Sequence, residues 1–143
     1  MIFDSRLEFS DAQALSGAGA SPSTNVIDIS QVRNIGKGRT MYVVVAVEVA
    51  VAGTSPTIDV TLETDDNDAF ASAAVVANVG PQITDVNGVA GAKFVQAIPY
   101  SGYERYLRLN YTLGGTTPTG TVNAFLTDQE PESWEALTSP TQV

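Results

Sequence analysis

Residues 57–64 read TIDVTLET, and this alternation constrains the fold more than any other feature of the chain. Ile58, Val60 and Leu62 alternate with Thr57, Asp59, Thr61 and Glu63, the period-two pattern of a strand with one dry face and one wet one. Residues 41–51 (MYVVVAVEVAV) are apolar on both faces for most of their length. Their β-branched side chains, bounded by Gly36, Gly38 and Gly53, predict a central strand over a helix. In residues 105–113, Leu107, Leu109, Tyr111 and Leu113 share one face, with Tyr106, Arg108, Asn110 and Thr112 on the other. Residues 121–127 alternate again, with Val122, Ala124 and Leu126 inward. The intervening GGTTPTG predicts that these two segments pair as an antiparallel hairpin. Weaker strands are expected at residues 2–9, 25–29, 74–79 and 93–98. Helical competition is slight: residues 11–15 and 132–137 have room for about a turn each. About eight short strands separated by Gly, Pro, Asn and Ser predict an all-β, antiparallel β-sandwich of jelly-roll type.

The ends of the chain read as attachments. Residues 1–15 form an expected N-terminal arm, with Ile2, Phe3, Leu7 and Phe9 as large apolar residues where termini are usually polar. No basic region precedes a long apolar run there, so the segment does not read as a secretory signal. Residues 16–23 (SGAGASPS) read as a flexible linker. The sandwich domain is expected over 24–127, followed by an acidic tail, 128–143, with Trp134 as its one large anchor. The arm is expected to act as a binding element ordered by a neighbour.

The chemical inventory is narrow. The chain has no His and no Cys, which removes imidazole and thiolate metal ligands, disulfides and histidine-based triads. Its formal net charge is −9, unfavourable for binding nucleic acid or an anionic membrane through a diffuse positive field. The longest apolar stretch is too short for a bilayer-spanning helix, which needs about 20 residues. A soluble protein of intracellular origin is expected. The run Thr64-Asp65-Asp66-Asn67-Asp68 carries the carboxylates a hard cation prefers, but Ala69, Phe70 and Ala71 follow where a calcium loop needs glycine and further ligands. A turn stitched by Asp and Asn side chains is the favoured reading. Glu48, Asp59 and Glu63 sit on strands; Asp59 and Glu63 fall on a polar face, whereas Glu48 interrupts an apolar pattern. It is expected to face water, pair with an arginine or lie at a subunit contact. No nucleophile-elbow, P-loop or dinucleotide-binding pattern is present. The expectation is a protein without catalytic, metal-binding or cofactor-binding residues, and not an enzyme.

Tyr100, Tyr103 and Tyr106 stand beside Arg105 and Arg108 in PYSGYERYLR. Aromatics with arginines mark protein interfaces, and a sugar-binding face uses the same residues; alternatively, the tyrosines cover the edge of the sandwich. Strands apolar on both faces predict self-association, a homodimer ahead of a trimer.

Several stretches resemble one family. MIFDSRLEFSDAQAL, LETDDNDAF, YERYLRLNYTLGG and TVNAFLT are similar to the small cement, or decoration, proteins of tailed bacteriophages, of the kind on a Bordetella phage capsid. The likeness runs from Met1 to about Thr127. It implies a jelly-roll structural protein on the outer capsid surface of the virion, contacting several copies of the major capsid protein and itself, with no catalytic or cofactor residues. Ile2, Phe3, Leu7, Phe9, Tyr100, Tyr103, Arg105 and Trp134 are the expected protein-interface residues. The rival reading is a carbohydrate-binding β-sandwich module, against which the placement of the single tryptophan in the tail weighs.

Overall fold

The computed structural model describes residues 5–29, 40–99 and 101–129. A short 3-10 turn (Ser5–Leu7) precedes eight strands: β1 (Glu8–Ser16), β2 (Gly19–Pro22), β3 (Ile27–Asp28), β4 (Tyr42–Asp65), β5 (Ala74–Asn78), β6 (Ile83–Thr84), β7 (Lys93–Ala97) and β8 (Tyr106–Thr127). Every pairing is antiparallel. The expected all-β sandwich is the observed architecture.

Its frame is a two-stranded ribbon. β4 and β8, 24 and 22 residues long, pair from Tyr42↔Thr127 to Asp65↔Tyr106. The register slips four times between Val47 and Thr57, and there the ribbon bends. On one side of the bend, the first half of β4 and the second half of β8 are flanked by β7 and β1. On the other side, the remaining halves are flanked by β5 and β6 and by β2 and β3. The two halves face each other over one core: Val43, Val45, Val47, Val122 and Ala124 from the first layer meet Ile58, Val60, Leu62, Leu109 and Tyr111 from the second.

The bend corrects two sequence readings. Residues 41–51 do form a central strand, but they and residues 57–64 are one continuous strand. The expected hairpin is likewise a single strand: residues 105–113 and 121–127 lie in different layers, and GGTTPTG is the bend between them. Local pattern could not separate the two, because Gly and Pro permit a tight turn and a sharp bend alike. Gly115, with φ 91°, shows what the bend demands: a Cβ there would lie 2.4 Å from the Ser55 carbonyl oxygen.

The opening segment is corrected too. Residues 8–16 are not a free arm but edge strand β1, which places Phe9 and Leu15 in the core at 0% and 2% exposure. Residues 11–15 are not helical. Register slips between Ser10 and Gln13, and Ala12 takes φ 43° with its amide donating to Asn123 Oδ1 at 2.6 Å. This bulge breaks the period-two signal.

The stretch 16–23 is not a flexible linker either, for it contains β2. Ser10 Oγ donates to Gln13 Oε1 at 2.7 Å, which leaves the Tyr111 hydroxyl as donor to Ser10 at 2.8 Å. Gln13 Nε2 donates to the Pro22 carbonyl, and Gln13 Oε1 accepts the Thr24 amide. A buried polar chain therefore ties β1 to both layers, every link satisfied as burial requires. The expected helical turn at 132–137 lies outside the described residues.

Candidate functional site

The bent ribbon has a closed end at the bend and an open end where β4 and β8 start and finish. The sequence-expected surface residues within the described chain gather at the open end. Leu7, Ile29, Met41, Ile98 and Tyr103 pack half-buried around the mouth of the core. The Asn25 amide donates to the Phe9 carbonyl at 2.9 Å, which holds the start of β1 against the approach to β3.

Tyr103 is half-buried, and its hydroxyl donates to the Pro99 carbonyl. Burial pushes its pKa up to about 12, so it remains a neutral donor throughout ordinary pH. Arg105 donates through Nε and Nη2 to Asp28 at 3.3 and 3.0 Å, and its guanidinium lies 4.8 Å from the Tyr106 ring centre. Two aromatics and an arginine thus stand together on a loop and the start of β8. Phe9 is wholly buried, so its surface is used inside the fold and not at an interface. Ile2, Phe3, Tyr100 and Trp134 lie outside the described residues.

The acidic run forms the turn expected of it. Asp65 is fully buried and accepts the Asn67 amide at 3.0 Å and the Ser72 amide at 2.7 Å, with the Ser72 hydroxyl at 3.3 Å. The Asn67 amide bond is the main reason its pKa is held below the ordinary carboxylate value. Asn67 Oδ1 in turn accepts the Ala69 amide at 2.8 Å. Carboxylate oxygens of Asp65, Asp66 and Glu104 lie within 4.8 Å of one another, but those of Asp65 are already engaged in shaping the turn.

Sequence reading missed a charged cluster on the outer face of the second layer. Arg108 Nε donates to Glu63 Oε2 at 2.8 Å, Asn110 Nδ2 donates to Glu63 Oε1 at 3.1 Å, and Phe70 lies 4.2 Å under the guanidinium. Both charged side chains are largely buried, at 19% and 10% exposure. The pairing of Glu63 with Arg108 follows from a register spanning 45 residues, for which no local signal exists. Glu48 resolves more simply: register slips between Val47 and Val49, and the side chain turns to solvent and accepts Asn123 Nδ2 at 3.3 Å.

A second surface lies towards the bend. The Val51 amide donates to the Gly88 carbonyl and the Gly91 amide to the Val47 carbonyl, each at 2.8 Å. That lays the stretch carrying Val89 alongside Val49. Val49, Val89 and nearby Val86 are 56%, 52% and 84% exposed. Single exposed valines are ordinary, whereas Val49 and Val89 are exposed on stretches that run side by side.

A search among curated proteins returns no match. The Bbp16 family model, named after a Bordetella phage protein, matches residues 9–126, which comprise nearly the whole sandwich from β1 to the end of β8. The chain belongs to the Bbp16 family, a phage structural family.

Proposed function

We propose that this chain is a capsid cement protein, bound to the outer surface of an icosahedral phage shell, where it bridges major capsid protein subunits and performs no catalysis. The observation that carries this reading is the family match over residues 9–126, which spans nearly the whole sandwich and not one motif. The side-chain chemistry is in keeping with it. Asp65 shapes a turn, Glu63 is neutralised by Arg108 and Glu48 faces water beside Asn123, so each of these three carboxylates has a structural partner. The exposed valines near the bend and the Tyr103–Arg105 cluster at the open end lie far apart along the ribbon. Two separated contact surfaces suit a bridge between neighbouring subunits. Self-association as a dimer doubles these contacts and raises the effective concentration of each after the first is made.

Packed DNA pushes outward on a shell. A ligand that binds the assembled lattice in preference to separated subunits stabilises it by mass action, by about 2.7 kcal/mol per site at one hundred times its dissociation constant. Particles stripped of the protein are expected to release DNA at lower temperature, and adding the protein back restores the original value. Equal release temperatures for stripped and decorated particles refute the stabilising role. A double Val86→Asp/Val89→Asp variant that stays folded but no longer redecorates the particles would assign the valine surface to the capsid contact.

A further inference from the structure

The closed end of the sandwich carries no charge at its tip. Residues 14–20, 49–58, 86–92 and 112–122 contain no Asp, Glu, Lys or Arg, in a chain of formal net charge −9. The fold gathers these four segments at the bend. Register there runs from Val49↔Thr121 through Thr54↔Thr116 to Thr57↔Gly114. The Gly17 amide donates to the Pro118 carbonyl at 3.1 Å, which seats the turn between β1 and β2 beside the tip. The Val51 amide holds the stretch 86–92 there through the Gly88 carbonyl.

Thr54, Ser55, Thr116 and Thr117 are exposed at the tip itself. Ser55 and Thr117 take φ of 48° and 49°, a positive range for which the same bend uses Gly53 and Gly115. Hydroxyl side chains are thus kept on the surface where glycine is the unstrained choice. Four charged residues directly flank the uncharged segments, and three of them, Glu48, Asp59 and Asp85, are exposed acids. The fourth, Lys93, stands opposite Ala46, further from the bend than Glu48. A charge-free centre with a polar rim is the layout of a protein interface. A second copy fits this end poorly, since it sets one acidic rim against another.

We propose that the closed end is the foot that stands on the shell, and that it takes an uncharged patch of the major capsid protein rimmed by Lys or Arg. The proposal rests on the cement-protein reading above and adds to it a footprint and a partner chemistry. Exposed Val49, Val86 and Val89 belong to the same end and supply its apolar contacts. Contacts between the two rims weaken as salt is raised, whereas those of the neutral tip do not.

Stripped particles are titrated with the parent chain and with three variants of unchanged Tm, at about 50 mM and about 300 mM NaCl. Glu48→Lys/Asp85→Lys is expected to bind about tenfold more weakly than the parent at the lower salt, with a narrower gap at the higher. Asp66→Lys/Asp68→Lys makes the same change in net charge at the open end and is expected to bind like the parent. Thr116→Asp puts a charge into the neutral centre and is expected to lose about tenfold at both salts. Parent-like binding by either closed-end variant overturns the proposal and leaves the cement-protein reading standing. Equal weakening by the two lysine pairs also overturns it, because net charge alone then accounts for the loss. A parent chain that does not bind the particles refutes the cement-protein reading itself, and the footprint with it.

Discussion

The two outer faces of the sandwich are built by the same two strands and have opposite chemistry. On the first layer, β4 and β8 present Val44 and Phe125, flanked by Val95. On the second, they present Asp59, Thr61 and Glu63 opposite Thr112, Asn110 and Arg108. The strand pairing is continuous between the two, and only the side chains differ. A sheet face is therefore wet or covered according to its residues, not its place in the topology. The polar face is a hydrogen-bonded surface partly shielded by Phe70, and the apolar face requires a cover.

Phe125→Ala tests the difference most strongly. On a covered face the loss is that of a core phenylalanine, about 3–5 kcal/mol, measurable by urea unfolding. A loss below about 1 kcal/mol, as for an ordinary surface position, reduces the apolar face to exposed surface. On the polar face, Arg108→Ala strands a buried Glu63 carboxylate and is expected to cost about 3 kcal/mol in the same assay. The double variant Glu63→Met/Arg108→Met should recover most of that loss, since no unpaired charge remains. If the single and double variants are equally unstable, packing of the arginine stem, and not the charge, is what matters.

Between the layers, Tyr111→Phe removes the donor to Ser10 while keeping the ring. It is expected to cost about 1 kcal/mol, seen as a small fall in Tm by calorimetry. An unchanged Tm means the polar chain from β1 to β8 is replaceable by packing alone.

The smallest effect concerns acid. The pKa of Asp65 is lowered in the folded protein from the ordinary 3.8, so its contribution is fully present above that value and is lost as pH falls through the folded one. Asp65→Asn should therefore be less stable than the parent at neutral pH, and the gap should close as the pH is taken below about 4. A gap independent of pH would mean that the turn is held by the shape of the side chain and not by its charge.

Period-two alternation in residues 57–64 and 105–113 determined those strands, their inward faces and hence the second layer's central contribution to the core: Ile58, Val60, Leu62, Leu107, Leu109, Tyr111 and Leu113. Local side-chain chemistry determined the Asp65–Asn67 turn, because the bonds involved span only a few residues. The doubly apolar stretch 41–51 also carried its message, a strand buried on both sides. Only the tertiary structure decided that four segments are two bent strands, that β1 and β2 belong to the sandwich, and that Glu63 meets Arg108. The physical reason is common to all three. Strand pairing is non-local, its register is set by the sum of many weak cross-strand contacts, and a bulge of one residue shifts the local pattern without leaving a distinctive residue behind.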